Sequence, residues 1–557
     1  MRRRASRVLI AQLLVLFCEV LFCATQAAWA RGPRFEISFL ASVHEQPITG
    51  RVFVILAKKN NKEPRLQIGA WYQRTPFFGL DVSEIKPGQR ILLQSTASGF
   101  PLAGLKDLPE GDYFVQALMS VYTRVQRADG KTLWVHLDQW EGQDFTRSPG
   151  NLYSEVQRVH LDSSSSQTFK LSLSKVIPPI ELPADTSWVK HIRIQSQMLT
   201  HFWGTPIYLG ATVLLPKDYE QHPDVRYPVI YIQGHFSLRA PFSFPDKEGD
   251  DGGLPADASL AHAWRSDNFP RMIAVTLQHP TPFFDDSYAV NSANNGPYGD
   301  AIMQELIPYL EDHFRILRQP YARLLTGGST GGWESLALEV FHPDFFGGAW
   351  TFYPDPIDFH RYGMVDIYED ESAFEVPGFA PPAPERPLMR TPEGQVTLTM
   401  RQMSQFEAAL GSHGRSAQQL EAWEAVYGPI DEDGYPKPVW NKETGEIDHA
   451  VATYMRDHGY DLRAYLEKHW SEIGNQLDGK IHIYCGDMDD YYLNLAVYRM
   501  EDFLTNISPP AHATFAYGRP MKGHGWQPMT NADLVRMMAD HVTKHLPAAE
   551  KTVAQQY

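Results

Sequence analysis

Six consecutive residues, Gly327-Gly328-Ser329-Thr330-Gly331-Gly332, follow the apolar pair Leu324-Leu325 and precede a helical pattern carrying Leu336, Leu338 and Val340. The pattern is glycine-x-serine-x-glycine between a strand and a helix, a turn too sharp for side chains larger than hydrogen at its flanks. Such a turn lifts a serine hydroxyl to the carboxyl edge of a sheet, above the N-terminus of the next helix. Two glycines and a serine at that spacing occur by chance roughly 0.1–0.2 times in a chain this rich in glycine, so the spacing alone decides little. The strand–turn–helix context makes Ser329 a candidate nucleophile. The plainer reading is a glycine-rich turn that cradles an anion.

A serine hydroxyl is a poor nucleophile without a base. Gly523-His524-Gly525-Trp526 follows the strand-like stretch Ala513 to Tyr517 and places a histidine on a loop with little beside it to pack against. In this architecture the acid lies between serine and histidine in chain order. Ile481 to Cys485 runs into Gly486-Asp487-Met488-Asp489-Asp490-Tyr491. One buried carboxylate must hold the imidazole tautomer; the others are solvated or cap the helix that begins near Tyr491. Spacing does not separate Asp487 from Asp489, and Asp355 and Asp358, beyond the strand Ala349 to Tyr353, are a further alternative. An oxyanion needs two backbone donors. Thr330, after the nucleophile, supplies one, and the turn Gly234-His235-Phe236 after the strand Val229 to Ile232 supplies the other.

These residues must be positioned by a sheet. Val229 to Ile232, Met272 to Val275, Leu324-Leu325 and Ile481 to Ile483 are continuous apolar runs, which fit strands buried on both faces. Helical faces alternate with them, Ile302, Leu306, Ile307, Leu310 and Phe314 on one and Leu493, Val497 and Met500 on another. The alternation predicts a parallel α/β sheet over residues 187–549. Residues 358–476 break the rhythm with proline-rich turns and a helix from Ser404 to Leu410, and read as a mostly helical insertion over the carboxyl edge of the sheet. Its aromatics, Tyr362, Tyr368, Phe374, Trp423, Tyr427, Tyr435 and Trp440, read as a local helical core, with a substrate pocket as the alternative. The acidic turn Asp431-Glu432-Asp433-Gly434 lacks the spacing of a calcium loop.

Ahead of this region, residues 31–176 read as short strands. Phe35 to Phe39 and Phe169 to Leu173 alternate, Val52 to Leu56 and Tyr113 to Leu118 are apolar, and turn residues separate them. The spacing predicts an all-β sandwich, joined through a proline-bearing linker at 177–186.

The first thirty residues are read as a secretory signal peptide: Arg2, Arg3, Arg4 and Arg7, an apolar stretch from Val8 to Cys23, and Ala28-Trp29-Ala30 as the cleavage site. The expected location is secreted or periplasmic. No later stretch reaches the roughly 18 apolar residues of a membrane span. Lys+Arg number 50 against 66 Asp+Glu, a net charge of −16 that becomes −19 without the signal, so nucleic acid and anionic membranes are unfavoured partners. Of the three cysteines only Cys485 lies outside the signal, which excludes an internal disulfide or a multi-cysteine metal site.

From about Ser187 to Leu546 the chain resembles the putative esterase family of α/β-hydrolases, which includes esterase D (S-formylglutathione hydrolase), feruloyl esterases, enterobactin-type esterases and mycolyltransferases. Tyr227-Pro228-Val229-Ile230-Tyr231 is similar to the family's strand before the oxyanion loop, and Gly296-Pro297-Tyr298 with Glu305-Leu306-Ile307-Pro308 to its helix before the nucleophile strand. Gly327 to Gly332 matches the elbow and His524 the terminal histidine. The family's acid often stands in glycine-x-x-aspartate, which implies Asp489, with Asp487 second. Where the family carries His-Gly at the oxyanion loop, this chain has Gly234-His235. The resemblance implies an α/β-hydrolase domain and a serine esterase with the triad Ser329, Asp489 and His524, acting on a small-molecule or glycan-linked ester without metal or organic cofactor. An acyltransferase with the same triad and a non-catalytic binding protein on the same fold are the alternatives.

Overall fold

The computed structural model describes residues 32–69, 74–94, 97–162, 167–245 and 258–547. The proposed signal peptide, the serine run 163–166 and the last residues of the expected catalytic domain lie outside them. The chain divides into two compact units, one holding residues up to Tyr122 with Phe145–Pro178, the other Thr123–Asp144 with Pro179 onward.

In the first unit, alternating sequence becomes alternating burial. Arg34–Phe39 buries every second residue and pairs parallel with Thr168–Val176. The apolar run Ile48–Ala57 is buried along its whole length and pairs with Phe77–Ile85 and Gly111–Val121. Phe35, Ile37, Val52, Val54, Val115, Ala117 and Leu171 close on one apolar cluster. The strands are hydrogen-bonded into a single nine-stranded sheet, not the two separate sheets of the expected sandwich. The link is Leu152–Ser154, which pairs with Thr168–Val176 on one side and with Gly111–Val121 on the other.

The second unit is built on an eight-stranded sheet: β1 (Val189–Ser196), β2 (Ile207–Leu214), β3 (Val229–Gln233), β4 (Ile273–Gln278), β5 (Arg323–Gly328), β6 (Gly348–Phe352), β7 (Ile481–Gly486) and β8 (Thr514–Gly518). Their order across the sheet is β1-β2-β4-β3-β5-β6-β7-β8. From β4 to β8 all neighbours are parallel, while β1–β2 and β2–β4 are antiparallel. Continuous apolar runs arise because both faces are covered. Leu325, Tyr231 and Val275 join one cluster, and their chain neighbours Leu324, Ile230 and Ala274 join the other.

The unit boundary differs from the expected one. Thr123–Gln126 and Thr132–Val135 form a hairpin whose Val125, Leu133 and Val135 pack with Leu209 and Val213 of β2, so burial draws this stretch of the expected β domain into the second unit. The insertion also differs. Besides four helices, Met400–Leu410, Gln419–Tyr427, His449–Asp457 and Leu462–Ile473, it holds a hairpin, Pro387–Arg390 with Val396–Thr399, and is largely irregular from Asp358 to Arg386. The first helix starts at Met400, earlier than Ser404, because Thr399 and Gln402 close a capping box. Among the described residues no helix is long and apolar enough to cross a membrane.

Candidate active site

The carboxyl ends of β5, β7 and β8 carry the three residues singled out from the sequence. Ser329 follows β5 and precedes α1 (Thr330–Phe341), with φ 58° and ψ −121°. That backbone region is costly for a residue bearing a Cβ and is the signature of a nucleophile turn. Crowding explains the flanking glycines. A Cβ on Gly327 would meet the Gly331 carbonyl oxygen at 2.2 Å, and one on Gly331 would meet the Gln233 carbonyl oxygen at 2.0 Å. The elbow therefore sits against the end of β3, beside the turn proposed to complete the oxyanion hole. Thr330 opens α1, so its N–H has no carbonyl four residues back within the helix.

The three carboxylates after β7 take different tasks. Asp489, fully buried, accepts from His524 Nδ1 through Oδ2 at 2.9 Å, while its Oδ1 accepts from the N–H groups of Tyr491 (2.9 Å) and Leu493 (3.2 Å). Asp490 accepts from the His524 backbone N–H at 3.1 Å, and Asp487 from the Lys522 N–H at 3.3 Å. Asp489 is thus the carboxylate that meets the ring. Tyr353 and Tyr491 pack edge-on against the imidazole, with centroids at 4.6 and 4.8 Å. Burial works to lower the His524 pKa, but Asp489 overrides it, and the ring is held above its ordinary value.

The turn after β3 is placed less simply. Gly234 has φ 148°, and His235 turns its ring toward Asp285 (Nδ1 to Oδ1, 3.1 Å) and Asp286 (3.7 Å). Against the cost of burial, those two carboxylates raise the His235 imidazole, although about half of its side chain (49%) is open to solvent.

The sequence offers Asp355 only as an alternative partner for histidine. It lies instead beside the nucleophile. Its Oδ1 accepts from Ser329 Oγ at 3.3 Å, and its Oδ2 accepts from Tyr288 Oη (2.7 Å), Thr330 Oγ1 (3.0 Å) and Gln419 Nε2 (2.9 Å), while the indole N–H of Trp423 donates to Tyr288 Oη (2.5 Å). No hydrogen bond joins Ser329 to His524 among the described residues. Asp358 points elsewhere, to Arg499 and Arg463.

Tyr288, Gln419, Trp423 and Arg390 were not assigned functional positions from the sequence. Gln419 and Trp423 belong to the insertion, on α2 (Gln419–Tyr427), and Trp423 was counted only among its aromatics. Arg390, also in the insertion, donates through Nε to the Asp489 carbonyl (3.0 Å) and through its backbone N–H to that of Asp490 (2.8 Å). The insertion therefore grips both the nucleophile side and the acid side. Tyr362, Phe374 and Trp440 are buried as the expected local core. The only sequence signal for the contacts is the chemistry of the side chains, since their partners are 64 residues away or more.

Among the described residues two clusters bring metal-ligating atoms together, His235 with Asp285 and Asp286, and His279 with Asp286 and Glu334. In the second, His279 Nδ1 accepts from the Ser287 N–H at 3.1 Å, so the neutral ring carries its proton on Nε2, which faces Glu334 across 4.0 Å. That nitrogen offers a donor, not a lone pair. Burial holds His279 down at about 4, and burial with the neighbouring carboxylates raises both Asp286 and Glu334, which favours their protonated forms.

Residues 208–367 match the family model described as "Putative esterase", which meets the resemblance drawn from the elbow and its preceding strands. A search of curated proteins finds no match. Among solved structures, a ferulic acid esterase is similar at 18% identity over 64% of this chain and 98% of its own, with a TM-score of 0.33. A ferulic acid esterase from Anaeromyces mucronatus is similar at 16% over 65% and 91% (TM-score 0.29), and an S-formylglutathione hydrolase from Agrobacterium tumefaciens at 12% over 65% and 96% (0.32).

Proposed function

We propose that this chain is an exported serine esterase that hydrolyses a carboxylic ester of a small molecule or glycan through Ser329, His524 and Asp489. The observation that carries the reading is the conjunction at one sheet edge of a serine at φ 58°, ψ −121° after β5 and a histidine bonded at 2.9 Å to a buried aspartate after β7. The Ser329 hydroxyl leaves Asp355 and turns to His524 Nε2, a rearrangement of the kind that substrate binding completes. His524 takes the proton as Oγ bonds to the ester carbonyl carbon. Asp489 holds the Nδ1–H and stabilises the imidazolium. The N–H of Thr330 and one from the Gly234–Phe236 turn receive the oxyanion. On collapse, His524 returns the proton to the departing alcohol. Water, deprotonated by the same ring, then releases the acid and regenerates the serine.

Ser329→Ala should lower turnover of 4-nitrophenyl acetate by about 10⁴–10⁶ without changing the circular dichroism spectrum. Near-normal turnover in that variant would remove the mechanism. Export is supported by the basic and then apolar first thirty residues. Secretion by a host with such a pathway should yield a chain beginning at Arg31, and an intact N-terminus on the exported protein would contradict it.

A further inference from the structure

An ionised carboxylate beside a serine nucleophile opposes the chemistry, because it repels the negative charge that develops on Oγ. Asp355 is such a group. It is 3% exposed, and three donors converging on Oδ2 fit a carboxylate, not its acid, even though burial pushes the group up. Oδ1 is served differently. Among the described residues its hydrogen bond is the one from Ser329 Oγ at 3.3 Å. When that hydroxyl turns to His524, Oδ1 is left buried, charged and without a donor, and it faces the reacting oxygen. Each is a penalty that a substrate can remove by bringing a donor of its own.

We propose that Asp355 is a specificity-determining residue that selects acyl groups carrying a hydrogen-bond donor, a hydroxyl or an ammonium, on the carbon next to the ester carbonyl. The inference rests on the esterase reading and names the substrate class of that site. The distances fit. Once the carbonyl carbon is bonded to Oγ, a heteroatom on the adjacent carbon stands roughly 3 Å from Oγ. In the resting serine rotamer Oδ1 is 3.3 Å from Oγ, so a donor on that carbon comes within hydrogen-bonding reach of it. The donor belongs to the acyl side because the departing alcohol must face His524, and no hydrogen bond joins Asp355 to His524 among the described residues. The three contacts to Oδ2, one of them from α2, fix the carboxylate so that it cannot swing away from a substrate lacking the donor.

The test uses the ethyl esters of propionic acid, lactic acid and alanine, which share a carbon frame and differ in bearing hydrogen, hydroxyl or ammonium at that carbon. Released acid is followed chromatographically on the full exported chain. The expected kcat/KM for lactate and alaninate exceeds that for propionate by at least about 30-fold, as in sites built to bond a substrate polar group. In Asp355→Asn the amide oxygen takes the three-donor side and turns its NH2 toward Ser329. Alaninate should then fall below propionate, with lactate between. Equal or greater wild-type activity on propionate overturns the proposal, as does an equal loss on all three esters in the variant, which would make Asp355 only an anchor for the elbow. If the variant does not fold, the wild-type ratios decide. Failure of the esterase reading looks different: no labelling of Ser329 by a fluorophosphonate. A protein that labels but cleaves none of the three esters, or cleaves them alike, sinks only the acyl-group proposal.

Discussion

Replacing Asp489 by asparagine isolates the acid's role. The carboxylate is fully buried, with Oδ2 on His524 Nδ1 at 2.9 Å and Oδ1 on two backbone N–H groups. An asparagine oxygen keeps the two backbone bonds only if its NH2 faces the ring. Nδ1 must then accept, the ring proton moves to Nε2, and no lone pair remains to take the serine proton. The opposite orientation aims the NH2 at two N–H groups and loses both bonds. Either way the base is disabled, and a loss of about 10³–10⁴ in kcat is expected, some 4–5.5 kcal/mol of barrier. The same change removes the main support for the raised His524 pKa. Activity requires the neutral ring, so the wild-type rate should climb as pH rises through a value above the ordinary ~6.5 of histidine, and the residual rate of the variant should climb at lower pH. Asp487→Asn keeps an acceptor for the Lys522 N–H and should cost less than about threefold. Initial rates on 4-nitrophenyl acetate across pH measure both. If Asp487→Asn is the damaging change, the assignment of the acid is wrong.

Gly331→Ala should destabilise the elbow by at least about 2 kcal/mol, since the new methyl would lie 2.0 Å from the Gln233 carbonyl oxygen; thermal unfolding reads this, and an unchanged midpoint would refute the close approach. Arg390→Ala should lower kcat by about tenfold and shift its pH limb, with KM little changed, because the guanidinium holds the loop that carries Asp489. A KM effect alone would place Arg390 in substrate binding. Replacing residues 358–476 by a short linker should abolish turnover outright, not merely alter acyl preference, because Gln419, Trp423 and Arg390 leave with it. Retained hydrolysis would make the segment a dispensable wall.

The parallel strands and the catalytic serine, histidine and aspartate candidates were legible because they are local patterns. A strand covered on both faces must be apolar along its buried length, as residues 229–232 are, and the elbow's glycines are imposed by contacts within a few residues or with the adjoining strand. The resemblance, not spacing, separated Asp489 from Asp487, and the reason lies in three dimensions: only one of the three carboxylates faces the ring. The hairpin Thr123–Val135 reads as part of the β region because its own alternation is that of any strand pair; which core it joins depends on β2, more than seventy residues later. The Asp355 network was likewise hidden. Tyr288, Thr330, Asp355, Gln419 and Trp423 converge only after the insertion folds back, and no local period records such a convergence.

The central claim is that Ser329 is the activated nucleophile. The most direct measurement is treatment of the folded protein with a fluorophosphonate, followed by peptide mass spectrometry to locate the adduct. The account predicts one covalent adduct, on Ser329, with labelling slowed by orders of magnitude in Asp489→Asn and absent in Ser329→Ala. A folded protein that takes up no label, or takes it up on another residue at the same rate in all three forms, would contradict it.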